Sequence, residues 1–167
     1  ISIATWNTRA LFASLSSNYF FASARIKILK RLSTNTDIIF LQECHGTSHH
    51  IALLNRFLPS HVWKGSFDVS HARAGVVIGI RRDLATDGQI IYSVIRRGRI
   101  LGASLRIFGC RCQIANAHIE PLLSIPDKKE QLKAIHRWLV FSNVIFIGGD
   151  WNFVIKGDTR FSPLTQQ

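Results

Sequence analysis

Apolar positions change their period several times along the chain, and those changes outline its elements. Residues 1–6, ISIATW, read as a strand, followed by an irregular aromatic and serine-rich stretch to about Ser23. ARIKILKRLS, residues 24–33, sets Ile26, Leu29 and Leu32 on one helical face, with Lys27, Lys30 and Arg31 around the other. DIIFLQE, from Asp37, is too uniformly apolar to keep a solvated face and predicts a strand buried on both sides. A helix is expected from about Ser48 to Phe57, ending before Pro59, because a proline ring disfavours helix in the residue ahead of it. AGVVIGIRR, GQIIYSVIR, RILGASLRIF and CRCQIANAHI then follow as strand candidates. Their short connections, DLATDG, RG and GC, predict antiparallel pairing in succession. Past Pro126, Asp127 and Glu130 have the spacing of a capping box, and Leu132, Ile135 and Leu139 extend a helix to about Phe141. VIFIGG, from Val144, is a further buried strand.

Strands interleaved with helices, with several strands in a row, fit an α/β sandwich of mixed sheets with helices outside better than a parallel doubly wound sheet. A chain of 167 residues suits one domain, 1–167, burying on the order of 70% of the surface its unfolded form would expose. No apolar run reaches the roughly 20 residues a membrane span needs, so no membrane partner is expected. No targeting segment opens the chain. Methionine is absent and the sequence stops at SPLTQQ, which suggests a piece of a longer protein. Three cysteines are an odd number. Cys110 and Cys112 form a C-x-C that suits packing better than zinc, so a reducing, intracellular compartment is the expectation.

Charge sharpens this picture. Lys and Arg number 21 against 10 Asp and Glu, a net charge of +11 that suits a polyanionic partner. The same imbalance leaves few carboxylates to serve as metal ligands. Against that scarcity, several strands finish in short polar side chains. GGDWN follows an apolar strand with Asp150 and Asn152, at the carboxyl edge where α/β sheets hold ligands. ATWN ends the first strand with Asn7, DIIFLQE ends in Gln42 and Glu43, and IANAHIE places Asn116 and His118 on one face of a strand. Taken singly, each has a plain structural reading: an Asx turn, a solvated end, a surface histidine. Taken together, they form a set able to bind a hard cation and phosphate oxygens.

TWNTRAL, DIIFLQECH, AGVVIGI, NAHIE and GGDWNF, in this order and spacing, resemble the endonuclease/exonuclease/phosphatase superfamily, which includes deoxyribonuclease I-like enzymes. QE-x-H, GRIL at Arg99 and the tryptophan of GDWN look most like the endonuclease domains of non-LTR retrotransposons. The resemblance implies a four-layer α/β sandwich with two mixed β-sheets flanked by helices. It also implies Mg²⁺, or Mn²⁺, as the cofactor, with no small-molecule cofactor, and DNA as the partner. Glu43 resembles the metal-binding glutamate, and Asn7 the asparagine that supports it. Asp150 resembles the carboxylate that positions and deprotonates water, Asn152 the amide beside it, and His118 a donor to a phosphate oxygen. Asn116 and Arg99 are expected to assist on the substrate. The family's closing Ser-Asp-His has no counterpart in these residues, so the second sheet is expected to be incomplete and the chain alone inactive. A reverse transcriptase fusion and a nuclear location follow only from the retroelement resemblance. Inositol-phosphate or phospholipid phosphoesterases of the same superfamily remain an alternative, as does a noncatalytic remnant that binds nucleic acid.

Overall fold

The computed structural model describes residues 1–12, 23–68, 74–139 and 143–152. Among the described residues, eight strands and three α-helices run in the order β1 (Ile3–Asn7), α1 (Ala24–Asn35), β2 (Ile38–Gln42), α2 (Ser48–Phe57), β3 (His61–Ser66), β4 (Val76–Arg81), β5 (Ile90–Arg96), β6 (Ile100–Ile107), β7 (Cys110–His118), α3 (Ile125–Trp138) and β8 (Val144–Asp150). They build two four-stranded sheets, β1-β2-β4-β3 and β5-β6-β7-β8. Both sheets are mixed: β1 runs parallel to β2 and β7 parallel to β8, and the remaining pairs are antiparallel.

The alternation of side chains across a strand explains the four layers. Ile38 and Phe40 of β2, with Val76, Ile78 and Ile80 of β4, face Leu101, Ala103, Leu105 and Ile114 of the other sheet. Ile39 and Leu41 point the opposite way, onto Ile26 and Leu29 of α1 and Ile51 and Leu54 of α2. Ile100, Ala115 and Ala117 meet Ile135 of α3 and Leu139 on the outer face of the second sheet. Every residue of β2 is therefore buried, as its unbroken apolar run requires. No helix among the described residues is long and apolar enough to cross a membrane.

Two expectations are corrected, and one strand was not foreseen. Four consecutive antiparallel partners do not form, because β4 leaves the series and pairs with β2 and β3 in the first sheet. β4 is buried on both faces, whereas β5 alternates between half-buried and exposed positions, which suits an edge. β3 carries no prediction, since HVWKGS interrupts its apolar positions with Lys64 and Gly65. Trp63 gives it its anchor, donating from Nε1 to the Leu58 carbonyl at 3.0 Å. The cap of α3 is Ser124, which accepts from Asp127 N at 3.3 Å and donates to Asp127 Oδ2 at 2.6 Å, so the box begins one turn earlier than Asp127. Phe141, where that helix was expected to end, and the aromatic stretch before Ser23 lie at least in part outside the described residues.

Candidate active site

The carboxyl ends of β1, β2, β7 and β8 meet at one rim, and main-chain hydrogen bonds fix them there. Ala10 N donates to Glu43 O (2.7 Å), Cys44 N to Gly75 O (3.0 Å), Gly75 N to Gly98 O (3.1 Å), His118 N to Arg99 O (2.8 Å) and Ile119 N to Asp150 O (2.9 Å). Several non-glycine residues on this rim have left-handed backbone: Arg9 at φ +45°, Glu43 at +52°, His45 at +48° and Asn152 at +46°. Such conformations cost on the order of 1–3 kcal/mol each and persist only where the surroundings over-determine them.

The paired glycines ahead of Asp150 are explained by close approach. A Cβ on Gly148 would collide with the Phe40 ring, and one on Gly149 with the Ala117 carbonyl oxygen, at a φ of +151°. Only glycines let β8 close onto β7 and β2 at this point, and the resulting register sets Asp150 opposite His118.

Asn7 joins the two acids. Its Nδ2 donates to Glu43 Oε1 at 2.9 Å and to Asp150 Oδ2 at 2.7 Å, and its Oδ1 accepts from Arg9 N at 3.1 Å. Glu43 comes from the first sheet and Asp150 from the second, so one amide spans the sandwich. Glu43, His118 and Asp150 each bring a ligand-capable atom to within 4.8 Å of the others'. Two carboxylates this close repel each other. The neutral amide between them relieves this only in part, and a hard divalent cation such as Mg²⁺ would complete the neutralisation. The donor set therefore fits a divalent cation.

His118 is buried at 4% exposure. Its Nδ1 accepts from Arg99 Nη1 at 3.2 Å, and Arg99 Nη2 donates to Glu120 Oε2 at 3.0 Å. Burial, and then the Arg99 guanidinium, hold the imidazole below its ordinary pKa, against the opposing pull of Glu43, Asp150 and Glu120. A cleft of about 240 Å³ opens over these groups, lined by Glu43, His45, Ala74, Arg99, His118 and Glu120 among others. A larger hollow of about 530 Å³, beside Thr47, Ser66 and Arg97, has no carboxylate among the described residues of its wall.

Asn7, Glu43, His118 and Asp150 thus share one space, with Arg99 behind the histidine. Asn152 adjoins them, but its Nδ2 is turned to the Ile119 carbonyl (2.9 Å), while its own carbonyl accepts from Lys128 Nζ (3.1 Å). Asn116 is fully buried between the sheets. Its Oδ1 accepts from Gln42 Nε2 at 2.7 Å, and its Nδ2 donates to the Leu41 and Val77 carbonyls at 2.9 Å each. Sequence reasoning passed over Glu120, Lys128 and the placement of His45. The i, i+2 spacing from His118 was a usable signal for Glu120; nothing local pointed to Lys128.

Solved structures share this architecture. Danio rerio TDP2 complexed with single strand DNA product is 17% identical, with a TM-score of 0.63 over 93% of this chain and 62% of that one. A functionally unknown protein from Enterococcus faecalis gives 13% identity and a TM-score of 0.64, covering 92% of this chain and 67% of that one. The endonuclease domain of TRAS1, a telomere-specific non-LTR retrotransposon, gives 16% and 0.55, over 77% of this chain and 52% of that one. The chain therefore spans about two thirds or less of the length of these relatives. No curated protein matches its sequence. The model of one family matches residues 4–166, nearly the whole chain, and the chain belongs to the Endonuclease/Exonuclease/phosphatase family.

Proposed function

We propose that this chain is the greater part of a divalent-metal-dependent phosphodiesterase domain that cleaves DNA, of the kind retroelements use to nick their targets. The observation that carries the reading is Asn7 Nδ2 bonded at once to Glu43 and Asp150, which holds two acids from different sheets around one space. Glu43 would hold the cation, with Asn7 fixing its carboxylate. When bound, the cation supplies positive charge to the nonbridging phosphoryl oxygens and the leaving oxygen.

The protein's own groups supply the rest. Asp150 orients the attacking water and takes its proton, a general-base contribution of about 10²- to 10⁴-fold. His118 faces the same space with Nε2 and donates to a phosphoryl oxygen, in the manner of an oxyanion hole. Asn152 steadies the loop that carries Asp150 through its bond to the Ile119 carbonyl. The net charge of +11 supports a nucleic-acid backbone, with its run of phosphates, over an inositol phosphate or a phospholipid. A chromosomal target would place the protein in the nucleus, fused to a reverse transcriptase.

The test is nicking of supercoiled plasmid with Mg²⁺ and with EDTA, by this chain and, where its gene encodes more, by the extended chain. The extended chain is expected to nick only with metal, and Glu43→Ala or Asp150→Ala to abolish nicking while leaving DNA binding in place. Nicking that survives EDTA or the Glu43→Ala substitution would overturn the reading.

A further inference from the structure

Of the groups on this rim, His118 alone combines deep burial with an unused polar atom. Its Nε2 has no hydrogen-bond partner among the described residues, although the atom is shut off from bulk solvent. Glu43 Oε1 stands 3.5 Å away, beyond a well-formed bond. The other ring nitrogen is committed. Arg99 Nη1 approaches Nδ1 at 3.2 Å, and a guanidinium has five N–H donors and no acceptor, so Nδ1 meets it with its lone pair. Arg99 cannot easily turn away, because Glu120 holds its second amine and its side chain is only 15% exposed.

We infer that Arg99 is a positioning residue that locks His118 in the Nε2–H tautomer, making Nε2 a donor to an anionic oxygen and removing it from the set of metal ligands. The inference rests on the cation-and-phosphate reading of the site and deepens it. His118 has the position of a ligand, yet its free nitrogen carries a proton, and a metal needs the lone pair. Moving that proton to Nδ1 would set two donors against each other at Arg99. The cation is left to carboxylate oxygens, which favour Mg²⁺ and Mn²⁺ over nitrogen-seeking Zn²⁺. Arg99 then acts on the substrate through the histidine.

The tautomer is read directly by long-range ¹H–¹⁵N correlation on the whole chain labelled at histidine, with the His118 signals assigned by their loss in His118→Asn. A protonated Nε2 and an unprotonated Nδ1 are expected without metal, and a protonated Nδ1 overturns the inference whether or not any cation binds. Pulsed EPR of bound Mn²⁺ is expected to show no directly bonded imidazole nitrogen, and a nitrogen coupling from His118 overturns it. Arg99→Met should raise the preference for Zn²⁺ over Mn²⁺ by about 10- to 100-fold, the usual weight of a group that orients a ligand. Glu120→Gln keeps the shape of its partner and should shift the preference in the same direction by less; an unchanged preference in both variants overturns the inference. Absence of any Mn²⁺ at the carboxylates, with the tautomer as expected, would overturn only the cation reading beneath it.

Discussion

Asn116→Ala is expected to destabilise the protein by about 3 kcal/mol. Asn116 is fully buried and makes three hydrogen bonds, to Gln42, to the Leu41 carbonyl and to the Val77 carbonyl. Leu41 and Val77 face each other in the β2–β4 register, so this amide of the second sheet clamps one end of a strand pair in the first. Alanine leaves the two carbonyls without that donor, at about 1 kcal/mol each at the low end of the range for stranded buried groups. Loss of the Gln42 bond adds about 1 kcal/mol, since Gln42 Nε2 keeps Thr5 Oγ1 at 3.2 Å. Domains of this kind total only about 5–15 kcal/mol. With an m-value of about 2 kcal/mol/M, the urea midpoint should fall by roughly 1.5 M. Tryptophan fluorescence reports the transition, because Trp63 is 2% exposed in the native fold. A fall of less than about 0.5 M would refute the assignment. Asn116→Leu, close in volume, should remain destabilised; recovery of stability would show that volume, and not the clamp, mattered.

Other consequences can be measured separately. Gly149→Ala should lower Tm by roughly 5–10 °C, because it combines strain of up to about 3 kcal/mol with the clash on the Ala117 carbonyl. Gly88→Ala, at φ +70° with nothing within 4 Å, should cost only about 1 kcal/mol, and equal losses would refute the steric account. His61 is buried with Nε2 on the Thr36 carbonyl, and burial holds its pKa below 6.5 despite that bond, aided by Arg81. The folded state therefore binds fewer protons than the unfolded state below pH 6.5. Stability should be complete above that pH and fall on acidification through the lowered folded pKa, by up to about 1.4 kcal/mol per pH unit. Replacing His61 by Gln should flatten this slope, and an unchanged slope would count against it. DNA affinity should drop by about 10³- to 10⁵-fold between 50 and 200 mM salt if 6–10 phosphates are contacted, and a flat dependence would point to a small or lipid substrate.

The parts of the fold legible in the sequence are those whose burial is uniform. β2 is apolar throughout and is buried at every position, so its place in the interior could be read from the run alone. The candidate site was legible where a carboxylate closes an apolar run, as at Glu43 and Asp150, while the roles given to these residues came from the family resemblance. β3 was hidden because its anchor is Trp63 and because Lys64 and Gly65 interrupt its apolar positions, so no period shows. The sheet to which β4 belongs is likewise set by partners far along the chain. Asn116 and Arg99 were expected on the substrate through the family resemblance, Asn116 beside His118 and Arg99 within GRIL. Their hydrogen bonds depend on the stacking of two sheets and on the β6–β7 register, which no local spacing encodes.

Titration of the chain with Mn²⁺, followed by EPR, tests the shared carboxylate site most directly. One bound ion per chain is predicted, with binding lost in Glu43→Gln and weakened in Asp150→Asn while both variants keep the wild-type Tm or exceed it. An ion retained at full affinity in the double variant, or none in the wild type, would contradict the account.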